Sequence, residues 1–119
     1  MLAVGPGAVL SHRDAAGLHG LRPANHVEVD VTTTIHRSSG SGIRVHRTRS
    51  LDAQEVTTLH GIPVTTMART LVDLAGTVPK DYLAKAIKEA ERQRTFDRRA
   101  IEATLARTQG RRGSRGTGH

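Results

Sequence analysis

The chain contains no cysteine and no tryptophan, and it has one tyrosine, Tyr82, and one phenylalanine, Phe96. The missing cysteines exclude disulfides, thiolate nucleophiles and the common structural zinc sites, and they suit a reducing, cytoplasmic setting. The shortage of aromatics argues against a base-stacking platform for single-stranded nucleic acid. It also leaves the core to Val, Leu, Ile and Ala. No apolar run approaches the roughly 18 residues of a membrane span. The apolar start "MLAVGPGAVL" lacks a basic segment and is broken by Gly5, Pro6 and Gly7, so it does not read as a signal peptide. Walker, GxGxxG and GxSxG patterns are all missing, and no two of the seven histidines have HxH or HExxH spacing.

What is present is a chain of 119 residues, a length suited to one domain with one modest core. Its formal charge of +7 is unevenly spread. Residues 36–49 hold Arg37, Arg44, Arg47 and Arg49 without an acid, and residues 107–119 hold Arg107, Arg111, Arg112 and Arg115 without an acid. Removing these eight from 18 basic residues leaves 10 against 11 acids, a net of −1. Two basic patches on a near-neutral body fit a polyanion such as nucleic acid, or else a solvated loop and a tail.

Periodicity gives the elements. Ser11 and Asp14 resemble an N-cap and a first-turn acid for a short helix that stops at Gly20. "HVEVDVTT" and "IRVHRT" alternate and read as two strands, antiparallel about "SSGSG". Val29 and Val31 would face inward, and Glu28, Asp30 and Thr32 outward. "EVTTLHGIPV" reads as a third strand interrupted near Gly61. Helices then start near Thr66, at Pro79 and after Asp97. Residues from Gly110 onward have a disordered composition. The expectation is an α+β domain over 1–109, followed by a disordered basic tail over 110–119. A small antiparallel sheet of about three strands would carry the short N-terminal helix and three C-terminal helices.

The candidate chemistry is thin. In "GIPVTTMARTLVDLA", Thr65 or Thr66 can cap the following helix, and Arg69 and Asp73 can pair across one turn on its solvent side. Each polar residue has a local role there, so a strand–helix joint is preferred over a ligand site. Glu28 and Asp30 are the only paired carboxylates, and solvation of an open strand face is preferred over acid–base or metal chemistry. No catalytic residue, metal site or cofactor is assigned, and the reading is a non-enzyme. The nucleic-acid-binding candidates are Arg37, Arg44, Arg47 and Arg49, on a strand and flexible loop that can lie along phosphates. With no recognition helix, weak nonspecific contact with DNA is the expectation.

"GPGAVLSHRDAAGLHGL", "GIRVHRTRSL", "EVTTLHGIPVTTMARTLVDLA" and "LAKAIKEAERQR" together resemble the AbiEi-type antitoxin region of type IV toxin–antitoxin systems. The likeness is strongest to actinobacterial proteins in which a very-short-patch-repair-like endonuclease domain follows. It covers residues 3–113. The resemblance implies a cytoplasmic antitoxin or transcriptional regulator, antagonistic to a nucleotidyltransferase toxin without a stable complex. An accessory domain positioning DNA for a repair-type endonuclease is the alternative. Neither the family's winged helix nor the nuclease domain is recognisable here, and the expectation is a truncated module without either. This chain has His19 where the family often has an aromatic, and Met67 where it often has proline. Loss of that aromatic would loosen the first helix.

Overall fold

The computed structural model describes residues 8–23, 28–34, 42–48 and 51–116, with side chains described as far as Thr108. The order is β1 (Ala8–Leu10), α1 (His12–Leu18), β2 (Val29–Thr33), β3 (Ile43–Arg47), a short 3-10 turn (Ala53–Glu55), β4 (Val56–Leu59), β5 (Ile62–Thr65), α2 (Met67–Ala75), α3 (Lys80–Arg92) and α4 (Arg98–Gly116). The α+β class and the four helices agree with the sequence reading. The sheet does not: it is five-stranded and mixed, in the order β3-β2-β1-β5-β4.

Three differences account for this. First, Ala8–Leu10 form a central strand, antiparallel to β2 and parallel to β5. Three apolar residues buried on both faces show no alternation, so they carry no strand period. Second, β2 and β3 run parallel, with Val29 opposite Ile43 and Thr33 opposite Arg47. Nine residues separate Thr33 from Ile43. At up to ~3.3–3.6 Å per residue, that is enough chain to travel back along a five-residue strand and start again in the same direction. Third, the interrupted strand is a hairpin, with β4 and β5 antiparallel and Leu59 opposite Ile62. His60 at φ +52° and Gly61 at φ +76° form its two-residue loop. Positive φ at both central positions is the primed-turn geometry whose twist matches paired strands.

Helix boundaries follow local chemistry. The Thr66 hydroxyl accepts from the Arg69 amide at 3.3 Å and caps α2. Pro79 precedes α3, and the Asp97 carboxylate accepts from the Ala100 amide at 3.1 Å at the start of α4. Helix α2 is the hub, packed on α1, α3, α4 and β5. The main core gathers Ala16, Leu21, Leu71, Leu74, Ala86 and Ala90, with Leu83, Ile87 and Phe96 against it. A second cluster of Leu10, Ala15 and Val64 joins α1 to the sheet. His19, in place of an aromatic, does not leave α1 loose: its Nε2 lies 2.8 Å from the Thr65 carbonyl oxygen and ties the helix end to β5.

Candidate functional site

The β1–α1 joint is the most polar part of the interior. Ser11 is the N-cap of α1, but its hydroxyl makes no capping bond. It accepts from the Thr32 hydroxyl at 2.8 Å and lies 2.8 Å from His12 Nδ1. His12 turns the chain from strand to helix at φ +53°, a left-handed conformation uncommon for a residue with a side chain. Its ring stacks on that of His46, with centroids 3.8 Å apart and planes 16° from parallel. His46 Nε2 is 3.0 Å from Asp30 Oδ1. Asp30 is fixed on further sides. Its second oxygen accepts from the Arg13 amide, its own amide donates to Asp14, and its carbonyl accepts from the Ser11 amide.

Burial and charge define what this cluster does. Burial, with His46 adding to it, lowers His12 from its usual 6.5 to about 3, so the imidazole is neutral at physiological pH. Burial pushes the Asp30 carboxyl up, but the bond to His46 and that residue's charge outweigh it, and Asp30 stays below its ordinary value. A serine, two histidines and an aspartate are the raw material of acyl transfer. However, Ser11 is 0% exposed and Asp30 2% exposed, so no substrate reaches the hydroxyl. The arrangement braces β1, α1, β2 and β3. The expected outward face of β2 is therefore buried at Asp30 and Thr32, since α1 and His46 cover it. Among the described residues no group of three or more His, Asp or Glu side chains is placed to hold a metal ion.

A second network sits under α2. Arg69 Nη1 donates to Glu55 at 2.6 Å and Nε donates to Asp73 at 2.8 Å, while Arg107 Nε from α4 reaches the other Glu55 oxygen at 2.7 Å. Glu55 is 0% exposed and Arg69 6%. The i, i+4 pair exists, but it lies inside the protein rather than on the solvent side, because the 3-10 turn and α4 cover it. Burial raises the Asp73 carboxyl above its usual range despite the Arg69 charge, and its second oxygen has no hydrogen-bond partner among the described residues. Thr65 bonds Thr70 at 2.7 Å instead of capping the helix. The stretch 61–75 is a joint, with its polar groups turned to one another, to Glu55 and to His19.

The arginines nominated from sequence land as follows. Arg44 and Arg47 are exposed on β3, an edge strand. The pleat puts Arg44 beside His46 on one face and Arg47 beside Ile43 and Val45 on the other. Arg44 donates to Glu28 at 2.9 Å. Arg37 and Arg49 lie outside the described residues. In the second patch Arg107 is a structural partner of Glu55 rather than a free cation.

Sequence reasoning missed the His12–His46 stack, the Asp30–His46 bond and Glu55. The first two depend on the parallel register, in which Thr32 faces His46. Glu55 gives no local signal at all. A family model described as the AbiEi antitoxin C-terminal domain matches residues 8–119. No curated protein matches the chain.

Proposed function

The chain belongs to the AbiEi antitoxin C-terminal domain family, and from that premise we propose a non-enzymatic antitoxin module that contacts duplex DNA weakly and without sequence preference. The buried state of Ser11 and Asp30 supports the non-enzymatic half, because the polar groups with catalytic chemistry are braces. The observation that carries the DNA half is the pair of exposed arginines on an edge strand. Arg47 has no partner among the described residues. Arg44 pairs with Glu28, the two side chains being 51% and 41% exposed, and its Nε lies 4.0 Å from Asp30 Oδ1. Such exposed pairs contribute about 0–1 kcal/mol, so a phosphate can replace Glu28 at little cost. Edge position lets side chains from both faces of β3 reach one phosphate backbone, with Arg37 and Arg49 adjacent in the chain. No rigid element aims these groups at base edges, which is why the contact does not read sequence.

The test is a salt titration of duplex binding by the intact chain and by an Arg44→Ala/Arg47→Ala variant. The variant is expected to bind every duplex more weakly, by the same factor for each sequence. Its log–log salt slope should be shallower by about 0.9 per arginine. Equal binding by parent and variant would remove β3 from the interface. For the antitoxin half, co-expression with a type IV nucleotidyltransferase toxin should restore growth. Continued toxicity would count against it.

A further inference from the structure

A second cationic feature lies away from β3, where α1 and its exit meet the first turn of α3. Arg13, on α1, has its guanidinium carbon 5.8 Å from the centre of the Tyr82 ring, and Arg22, just beyond α1, has its own 5.3 Å from the same centre. All three residues are half-buried. Two permanent cations thus share one phenol.

No described carboxylate pairs with either guanidinium. The closest acids, Asp30 and Asp14, are engaged elsewhere: Asp30 by His46 and the Arg13 backbone, and Asp14 by the Asp30 amide. Arg22 Nε and the Tyr82 hydroxyl are buried atoms without a hydrogen-bond partner among the described residues, and neither is directly open to a ligand. Buried donors left unpaired are rare in folded proteins, because each forfeits its hydration without recompense. What remains for a ligand is the pair of guanidinium groups, which come from α1 and its exit, share one ring and have no described carboxylate partner.

We propose that Arg13, Arg22 and Tyr82 form a binding site for a phosphate oxyanion. The donor set selects phosphate over carboxylate. Guanidinium forks match phosphate geometry in two-point contacts. Two guanidinium forks can engage more oxygens than the two of a carboxylate, and two cations match a phosphate dianion. The terminal phosphate of a free nucleotide meets both requirements with one group, whereas a nucleic-acid backbone, whose phosphodiesters are monoanions with two free oxygens, meets them with two successive phosphates. The site stands independently of the Arg44 and Arg47 contact, since it shares no residue with it.

The sequence supplies the probe. Tyr82 is the only tyrosine and there is no tryptophan, so tyrosine fluorescence of the intact protein reports this site alone. Inorganic phosphate, pyrophosphate, a nucleoside triphosphate and a short single-stranded oligonucleotide would each be titrated at constant ionic strength. A saturable change in Tyr82 emission is expected. Arg13→Gln and Arg22→Gln should each weaken it about tenfold or more, while Lys85→Gln, an equal loss of charge at an exposed site on α3, should leave it unchanged. Tightest binding of the triphosphate assigns a free nucleotide, and tightest binding of the oligonucleotide assigns a backbone.

Ionisation of the phenol gives a second readout. Burial holds Tyr82 above its ordinary value, and the two arginines oppose that rise. A bound anion cancels their field, so the absorbance titration should move further up with phosphate. In Arg22→Gln it should move up without phosphate and then stay there. Should Arg22→Gln lose its far-ultraviolet dichroism, Arg22→Lys keeps the charge, loses the fork, and should bind with intermediate strength. No saturable response to any of the four probes would overturn the proposal, as would equal losses in Lys85→Gln and Arg22→Gln.

Discussion

The neutral, buried His12 makes the stability of this protein depend on pH in a calculable way. In the folded protein its imidazole titrates at about 3; in the unfolded chain it titrates near 6.5. Between those values the unfolded state binds a proton that the folded state refuses. Stability therefore rises with pH across the window, and it falls as the solution is acidified below about 6.5. Each pH unit is worth about 1.36 kcal/mol, so roughly 2 kcal/mol is lost at about pH 5 and about 3.4 kcal/mol at about pH 4. For a domain whose total stability is on the order of 5–15 kcal/mol, that is a large fraction. His12→Asn removes the titrating ring while tolerating the left-handed backbone at φ +53°. The assay is urea unfolding of parent and variant from neutral pH to about pH 4. The variant is expected to start less stable, having lost the Ser11 bond and the His46 stack, but to decline less steeply. Asp30 and Asp73 also titrate, with opposite signs. Stability from the lowered Asp30 is lost as pH falls through its folded value, whereas that from the raised Asp73 is lost as pH rises through its own. Asp73 is common to the two proteins, whereas Asp30 loses the His12 contribution to its lowering in the variant, so the difference between the curves reports His12 together with that coupling. Parallel curves would refute the burial argument.

Two other substitutions test the packing. Arg69→Ala leaves Asp73 buried without a partner and takes one of two cations from Glu55, so it should cost about 3–5 kcal/mol, as broken buried pairs do. Arg98→Ala, which breaks a pair exposed at 83% and 62%, should cost less than about 1 kcal/mol, and equal urea midpoints for the two variants would show that the α2 network is unimportant. Gly61→Ala meets no atom within 4 Å, so only the φ of +76° opposes it. The expected loss is about 1–2 kcal/mol, and an unchanged melting temperature would mean that the hairpin loop relaxes.

The sequence by itself determined what depends on near neighbours. The starts of α2, α3 and α4 were legible because capping and helical periodicity act within three or four residues, as with Thr66 and Arg69 or Asp97 and Ala100. The apolar stripe of Leu83, Ala86, Ile87 and Ala90 was legible for the same reason. The alternation at Ile43–Arg47 was also visible, and with it the exposure of Arg44. The order of motifs carried the family, because it needs no knowledge of which strand meets which.

Only the tertiary structure decided how these pieces meet. Strand direction is a property of the pair, so nothing in "HVEVDVTT" or "IRVHRT" distinguishes a parallel from an antiparallel partner. That choice puts His46 beside Asp30 and stacks it on His12. Burial of a polar face is equally nonlocal: Asp30 is charged and sits in an alternating strand, yet α1 covers it. Arg69 and Asp73 have the spacing of a surface pair, but a glutamate fourteen residues back and an arginine from α4 draw the pair inside. Tyr82 lies 60 residues or more beyond Arg13 and Arg22 along the chain, and it becomes their neighbour only because α1 and α3 pack around one core. In each case the deciding energy is the removal of groups from water by a distant segment, and a local pattern does not encode which segment that will be.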